Sequence, residues 1–522
     1  MADLSSYDQR NMFGADFVLA GLLEPDDLCS TVKKEISPLI KDSDFEEMYK
    51  EGGRPPVSPR VLILTLLMQF LERLPDRAAS LSLKFRLDWK IAFELPLDFA
   101  GIHPTTLVYF RNRLIENEKA SLLFDSIIEH LKGCGLIKQG GKQRIDSTHI
   151  IGCVRELSRI ELFHETLRLF CVDVGSYTKW MDESLITFHE RYLEKISIHG
   201  VTDVQKREFI HSAGVTMKAF ITWVTLSEYS TEIESMEHFK TMKTVFEQNF
   251  VDKGTTISPE LIRISTGKGH ISSPHETEAN YSNKGKKKWL GYKGQVVETV
   301  SGEGEQNFIT HIDAEDSTNY DGNSVPEIIG ELQKKDIAPA EMYGDTHYNS
   351  ASNIEQLRQS AIEMKGPVQP GLKEKTRKNS GFTIDLDAKK VICPMGIESK
   401  HFHRDPEGKV GASFPKEACQ DCERREICKP EPRGKIYEAR PENQTLAKRR
   451  KQLEDPEYKK DLHKRNGVEG TISGLVRGQN WRRCRYRGKA KGRLQAKLTG
   501  AAANVCRLHR FRQGQQRLRE KI

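Results

Sequence analysis

Between residues 143 and 152 the hydrophobic pattern changes from helical to alternating: Ile145 and Ser147 interleave with Asp146 and Thr148, and Ile150 and Ile151 follow. That pattern predicts a strand. It returns only near residue 290, where WLGYKGQVVETV, a Gly-rich turn at SGEGEQ and NFITHIDA read as a hairpin. VPEIIGELQKKD then reads as a helix and AEMYGD as a short strand ending at Asp345. Strand, hairpin, helix, strand and later helix predict a mixed α/β sheet assembled from distant segments. The stretch in between carries helical patterns such as LSRIELFHETLRLF and MEHFKTMKTVFEQNF, a long insertion.

Ahead of the first strand the chain is helical. GGRPPVSPR punctuates the sequence, and Ser58-Pro59 makes an N-cap and first-turn pair. Leu62, Ile63, Leu66, Leu67, Phe70, Leu71 and Leu74 then keep helical spacing up to Pro75. Shorter helical patterns cover about 76–86 and 88–95. GIHPTTLVYFRNRLIEN reads as a helix capped by Thr105 or Thr106, with Leu107, Phe110 and Leu114 inward and Arg111, Asn112 and Arg113 outward. Such a unit suits a helix-turn-helix DNA reader; any three-helix packing domain has the same pattern.

At 522 residues, two to four domains are expected. The longest apolar run, Val61 to Met68, is too short to cross a bilayer, and MADLSSYDQR lacks the apolar stretch of a secretory signal. An intracellular protein is expected. Charge is uneven: residues 441–522 hold 23 Lys and Arg against 7 Asp and Glu, about +16, which leaves about −9 for the rest of a chain of net +7. Stretches such as NWRRCRYRGKAKGR suit phosphate contact with counterion release; the alternative is a solvated tail. Leu494, Leu498, Val505 and Leu508 keep a partial helical period there.

Six of the ten cysteines are scattered, and Cys393, Cys419, Cys422 and Cys428 cluster as CPMG…CQDCERREIC. Four thiolates in that spacing can hold a structural zinc ion, with metal-free thiols as the alternative. They leave no open position for catalysis.

Three acids, Asp146, Asp345 and Glu469, sit in settings suited to a divalent metal. Two-metal phosphodiester chemistry needs clustered carboxylates, and hard oxygen ligands favour magnesium or manganese. Two aspartates on adjacent strands and a Glu on a flanking helix meet that demand. Val468, Ile472, Leu475 and Val476 form one stripe that Glu469 borders, Gly467, Gly470 and Gly474 line one side, and Arg465 shares the Glu469 face. Alone, an Asp at a strand end is more often a turn residue, and Arg465–Glu469 more often a surface pair. A His/Asp site using His149 and His347 is a rival, weakened because His149 points away from the Asp146 face.

RPPVSPRVLILTLLMQFLERLPDR and GIHPTTLVYFRNRL resemble the N-terminal helical domain of bacterial insertion-sequence transposases. IDSTHI, SPHETEANYSNKGKKKWLGYKG and YGDTHYNSASN resemble the ribonuclease H-like catalytic core of the DDE class. The Cys-bearing module, RNGVEGTISGLVRG and RYRGKAKGRLQAKLTGAAANVCRL resemble the group with an insertion before the final Glu. The resemblance implies an α/β fold with a ribonuclease H-like mixed sheet and flanking helices. Its expected organisation is an N-terminal segment (1–50), a helical DNA-binding domain (51–140), the first part of the core (141–364, with a helical insertion at about 156–260), a Cys-bearing module (365–440) and the last part of the core with a basic C-terminal segment (441–522).

By that resemblance Asp146, Asp345 and Glu469 take the DDE positions, with two Mg2+ (or Mn2+), and Arg465 is the Arg one turn before the Glu. Relatives often carry a Tyr where this chain has Leu462, and a Lys where it has Val476, with Arg477 the nearest basic residue. The implied activity is cleavage at the element's ends and joining of the 3′ hydroxyls to target DNA. Double-stranded DNA (terminal inverted repeats and target) is the expected partner, a homodimer the expected assembly, and the bacterial cytoplasm, at the nucleoid, the expected location. Arg111, Arg113, Lys286, Lys287, Lys288, Arg477, Arg482, Arg483, Arg485, Arg487 and Lys489 are the expected DNA contacts, with Lys284, Lys293, Trp289 and Tyr292 beside them. The alternatives are a zinc-containing DNA-binding protein without catalysis on the same scaffold, and a nuclease without strand transfer.

Overall fold

The computed structural model describes residues 19, 21–49, 57–154, 157–194, 196, 202–252, 257–258, 268–285, 287–302, 305–369, 381–406, 408–439 and 442–519. The expected punctuation at 52–56 and the start of the N-terminal segment, 1–18, lie outside them. Ser58 caps α1 (Pro59–Leu71), its hydroxyl accepting the Val61 N–H at 3.3 Å. α2 (Asp76–Phe85), α3 (Leu87–Phe93), α4 (Pro104–Glu116) and α5 (Leu122–Gly133) follow. The cap of α4 is His103, not a threonine: its Nδ1 accepts from the Thr105 N–H at 3.3 Å. Pro104, with φ pre-set for a first turn, starts the helix earlier than the threonines.

β1 (Lys142–Ile151) carries Asp146. The helical insertion forms α6 (Arg159–Asp173), α7 (Glu183–Leu193), α8 (Asp203–Leu226), α9 (Ser230–Ser235) and α10 (Glu237–Asn249). It encloses its own apolar cluster around Phe163, Phe170, Tyr192, Met217 and Phe220. β2 (Asn280–Lys284), β3 (Lys287–Thr299), β4 (Ile309–Asp316), α11 (Val325–Lys334), β5 (Glu341–Tyr343), α12 (Ala351–Gln359) and β6 (Glu363–Lys365) complete the sheet region.

β1 pairs antiparallel with β3, whose other edge takes β2 and then β4. On its opposite edge β1 pairs parallel with β5, and β5 parallel with β6. The sheet is therefore mixed, with β1 at its centre. β5 ends at Tyr343, two residues short of Asp345.

β7 (Thr383–Asp385), β8 (Lys390–Ile392), β9 (His401–Arg404), β10 (Val410–Ser413) and β11 (Ile436–Ala439) build a separate small apolar cluster with Phe382, Phe414 and Tyr437. Then come α13 (Glu442–Gln452), α14 (Pro456–Leu462), α15 (Gly467–Gly478) and α16 (Lys489–Arg519).

The basic C-terminal stretch is not a solvated tail. α16 is 31 residues long and buries Leu494, Leu498, Ala501, Ala502, Val505 and Leu508 in the cluster that also holds α1, α4, α5 and the sheet. Small residues explain the close approach: a Cβ on Gly500 would stand 2.5 Å from Ile312. Asn504, fully buried, donates to Ile309 O and accepts from Ile309 N on β4. Among the described residues no helix is long and apolar enough to cross a membrane.

Candidate active site

The last registered pair between β1 and β5 is Arg144↔Tyr343. Asp146, still on β1, and Asp345, in the turn after β5, each lie two residues beyond that pair, and the strands leading to them run ~4.8 Å apart. Alternation gives Asp146 the sheet face of Arg144 and Thr148. Gly344 packs against Ile145, the residue on the opposite face, with a Cβ position 3.2 Å from its side chain. Both aspartates also act on one buried hydroxyl. Burial and the charges of Asp321, Asp146 and Asp345 push the Tyr348 phenol well above its ordinary pKa.

The carboxylates are held locally. Asp146 Oδ1 accepts from Ser147 N at 2.7 Å. Asp345 Oδ1 accepts from His347 N at 2.8 Å, and its Oδ2 is 3.3 Å from His347 Nδ1. Asn349 Nδ2 donates to Gly344 O and Asp345 O, which fixes the turn that carries Asp345.

α15 lies over the β1 and β3 strands. Its first residue, Gly467, sits against the Arg144 guanidinium, and Thr471 Oγ1 donates to Glu298 Oε2 at 2.6 Å. Just past its C-terminus, Trp481 is buried against Gly294 and Ile150. The helix therefore runs in the direction of β1, from the level of Arg144 to that of Ile150, and Glu469 stands in its first turn. Glu469 remains 67% exposed, with Arg465 at 3.9 Å. Of the expected stripe, Val468, Ile472 and Leu475 are buried. Gly467 makes the close approach expected of the glycines, whereas Gly470 and Gly474 face open space.

The three carboxyls do not close into one tight group. Among the described residues, three ligand atoms within 4.8 Å of one another occur only at Glu35, His130 and Cys134. There the Arg512 guanidinium already bonds both Glu35 oxygens, at 2.9 and 2.8 Å. The donor set at Asp146, Asp345 and Glu469 is all hard oxygen and open to solvent, which fits magnesium or manganese. The rival His/Asp site does not assemble: the His149 ring packs 5.1 Å from Trp289 and its Nδ1 is 2.8 Å from Arg482, while only His347 stands beside an Asp of the set.

Several expected DNA contacts point inward. Arg111 is 4% exposed, donates through both terminal nitrogens to Asp76, and lies 4.5 Å over the Tyr486 ring. The outward expectation failed because Arg111 follows Phe110 on the buried side of α4 and meets an acid that only tertiary packing supplies. Arg482 is tied to Thr148 Oγ1 and His149 O, and Arg485 to Leu74 O and the Phe70 ring. Lys293 pairs with Asp321 at 2.9 Å, and Trp289 and Tyr292 are buried. Arg113, Lys287, Lys288, Arg477, Arg483 and Arg487 are exposed, and Lys489 half-buried. Lys286 and the Lys284 side chain lie outside the described residues.

Cys393, Cys419, Cys422 and Cys428 surround one cavity of about 30 Å³ with Phe414 and Lys435. Burial pushes the Cys428 thiol up, and the neighbouring Cys422 and Cys393 act in the same direction. Among the described residues no three of the four sulfurs lie within 4.8 Å of one another, wider than the ~3.8 Å of a closed tetrahedral site.

Sequence reasoning missed a buried polar network beneath α15. Glu298, fully buried in QVVETV, accepts from Arg144, Arg507 and Thr471. A lone acid in an apolar strand was its one signal. Asp461 is similar: burial opposes its charge, but bonds from Lys464, Lys365 and Tyr343 hold its carboxyl well below the usual range.

Residues 392–509, which include the four cysteines, Arg465 and Glu469, match the family model described as Transposase DDE domain. Residues 18–113 match that described as Transposase domain (DUF772). No curated protein and no solved structure matches the chain. The two matched regions, one at each end of a mixed α/β fold, support a DDE-type insertion-sequence transposase.

Proposed function

We propose that this transposase cuts the ends of its insertion sequence and joins the 3′ hydroxyls to target DNA, with Asp146, Asp345 and Glu469 as its metal-holding carboxylates. The observation that carries this reading is the register of β1 and β5: Asp146 and Asp345 each follow its last pair by two residues, and Glu469 stands in the first turn of the helix that lies over β1. The strand order β4-β3-β1-β5-β6, three antiparallel and then two parallel, supports a ribonuclease H-like core split by the helical insertion and the Cys-bearing module.

Two Mg2+ or Mn2+ ions held there would supply activation of the attacking oxygen and stabilisation of the leaving one. Asp146 would offer its carboxylate from the central strand. Asp345 would offer its carboxylate from the turn that Asn349 holds, and Glu469, exposed in the first turn of α15 with Arg465 at 3.9 Å, would complete the set. In the first step water attacks the end phosphorus and the P–O3′ bond breaks, leaving a free 3′ hydroxyl. In the second, that hydroxyl attacks a target phosphorus and displaces a target 3′ oxygen. No covalent enzyme intermediate is required. The exposed Arg113, Lys287, Lys288, Arg477, Arg483 and Arg487 are available for phosphates. A homodimer pairing two ends, acting at the nucleoid in the cytoplasm, follows from the same reading; a structural zinc at the four cysteines would draw the sulfurs closer together than they now stand.

The test is nicking of duplexes carrying the element's ends in Mg2+ by wild type, Asp146→Ala, Asp345→Ala and Glu469→Ala. The variants should bind DNA and not nick. Nicking at the wild-type rate by any of them would remove that residue from the site. End cleavage without joining to target DNA would reduce the activity to a nuclease.

A further inference from the structure

Glu298 lies opposite Arg144 in the β1–β3 register and is completely buried. Arg144 Nε donates to its Oε1 at 2.7 Å, and Arg507, from α16, donates to its Oε2 at 3.0 Å. Thr471 of α15 joins both: its hydroxyl donates to Glu298 Oε2 at 2.6 Å and accepts from Arg507 Nη2 at 2.7 Å. Arg144 Nη1 also donates to Lys464 O at 2.8 Å, just before α15 begins, and Gly467 rests on the same guanidinium.

An apolar contact alone would hold α15 on the sheet more cheaply than two guanidiniums and a carboxylate, whose burial is costly. What the polar contacts add is position. The stripe of Val468, Ile472 and Leu475 tolerates sliding along the helix axis, but a slide of one residue, ~1.5 Å, breaks bonds of this length. Arg144 is two residues from Asp146 on the same strand face, and Thr471 two residues from Glu469 on the same helix. One strand and one helix thus carry both the fastening and the ligands.

We propose that Arg144, Glu298, Thr471 and Arg507 are positioning residues that set the distance of Glu469 from Asp146 and Asp345, and so the affinity of the site for its metal. This rests on the reading of Glu469 as a ligand.

The experiment measures Mn2+ binding to the full chain by electron paramagnetic resonance, with melting followed by circular dichroism. Thr471→Val, which deletes the bridging hydroxyl, should weaken Mn2+ binding about tenfold, and Thr471→Ser should restore it. Arg507→Lys, which keeps the charge and loses the fork, should weaken it similarly and carries the test if Thr471→Val does not fold. Wild-type Mn2+ affinity in Thr471→Val or in a folded Arg507→Lys, beside weakened binding in Glu469→Ala, would overturn the network's role while leaving the site intact. Unchanged Mn2+ binding in Glu469→Ala would overturn the site, and the inference with it.

Discussion

The guanidinium of Arg144 fills the space that a side chain on Gly467 would occupy. Arg144 cannot retreat, because it is held by Glu298 and by Lys464 O. Gly467→Ala should therefore push the start of α15 off the sheet and destabilise the protein by about 1–3 kcal/mol. Gly470→Ala, on the same helix with open space around its Cβ, should be neutral or stabilising by about 0.5–1 kcal/mol. Urea denaturation of the two variants separates these outcomes, and equal effects would mean that the contact with Arg144 is unimportant.

Arg111 tests the orientation of α4. Its pair with Asp76 is 5% exposed on the arginine side and 27% on the aspartate side. Arg111→Ala should cost about 3 kcal/mol of stability by leaving a half-buried carboxylate without its partner. Arg113→Ala, at an exposed position of the same helix, should change the melting temperature little. A wild-type melting curve for Arg111→Ala, combined with lost DNA affinity, would return Arg111 to the DNA-contacting set.

Glu35 gives stability an acid limit. Burial raises its pKa, but the bonds from His130 and Arg512 outweigh this and bring it from 4.5 down to about 2. A carboxyl depressed in the folded state contributes fully above the unfolded value and loses that contribution as pH falls from about 4.5 through about 2. Glu35→Gln should flatten the dependence of stability on pH across that window, at the expense of stability at neutral pH. Parallel pH profiles for variant and wild type would rule the pairing out as a source of stability.

The cysteine module has a metal readout. Purified protein should contain about one zinc per chain, lost in Cys419→Ser with Cys422→Ser. Chelation should then lower the melting temperature, because the module's own apolar cluster is small. Folded wild type without zinc would show that the four thiols stand free.

Much of the architecture was readable from local pattern. The alternation at 143–152 became β1, the Gly-rich turn joined β3 to β4, and Ser58 capped α1, because period and capping depend on residues within a turn or a pair of one another. Reading Thr105 as a cap failed by a two-residue margin, since Pro104 sets the first turn. The candidate site was legible only as residue types, because Asp146 and Asp345 are 199 positions apart and nothing local relates them.

Local pattern along the chain set which segments are strands and helices, where the charge concentrates, and which acids and thiols are available for metals. Tertiary structure decided which of those groups face one another. Arg111 turned inward to Asp76, and the basic C-terminal stretch became a core helix through its small and apolar face. The parallel register of β1 and β5 brought the segments that lead to Asp146 and Asp345 side by side. The physical reason is that periodicity is a property of neighbours along the chain. The partner of a charge, or the register of two strands, is chosen by burial and pairing across distances that no local pattern spans.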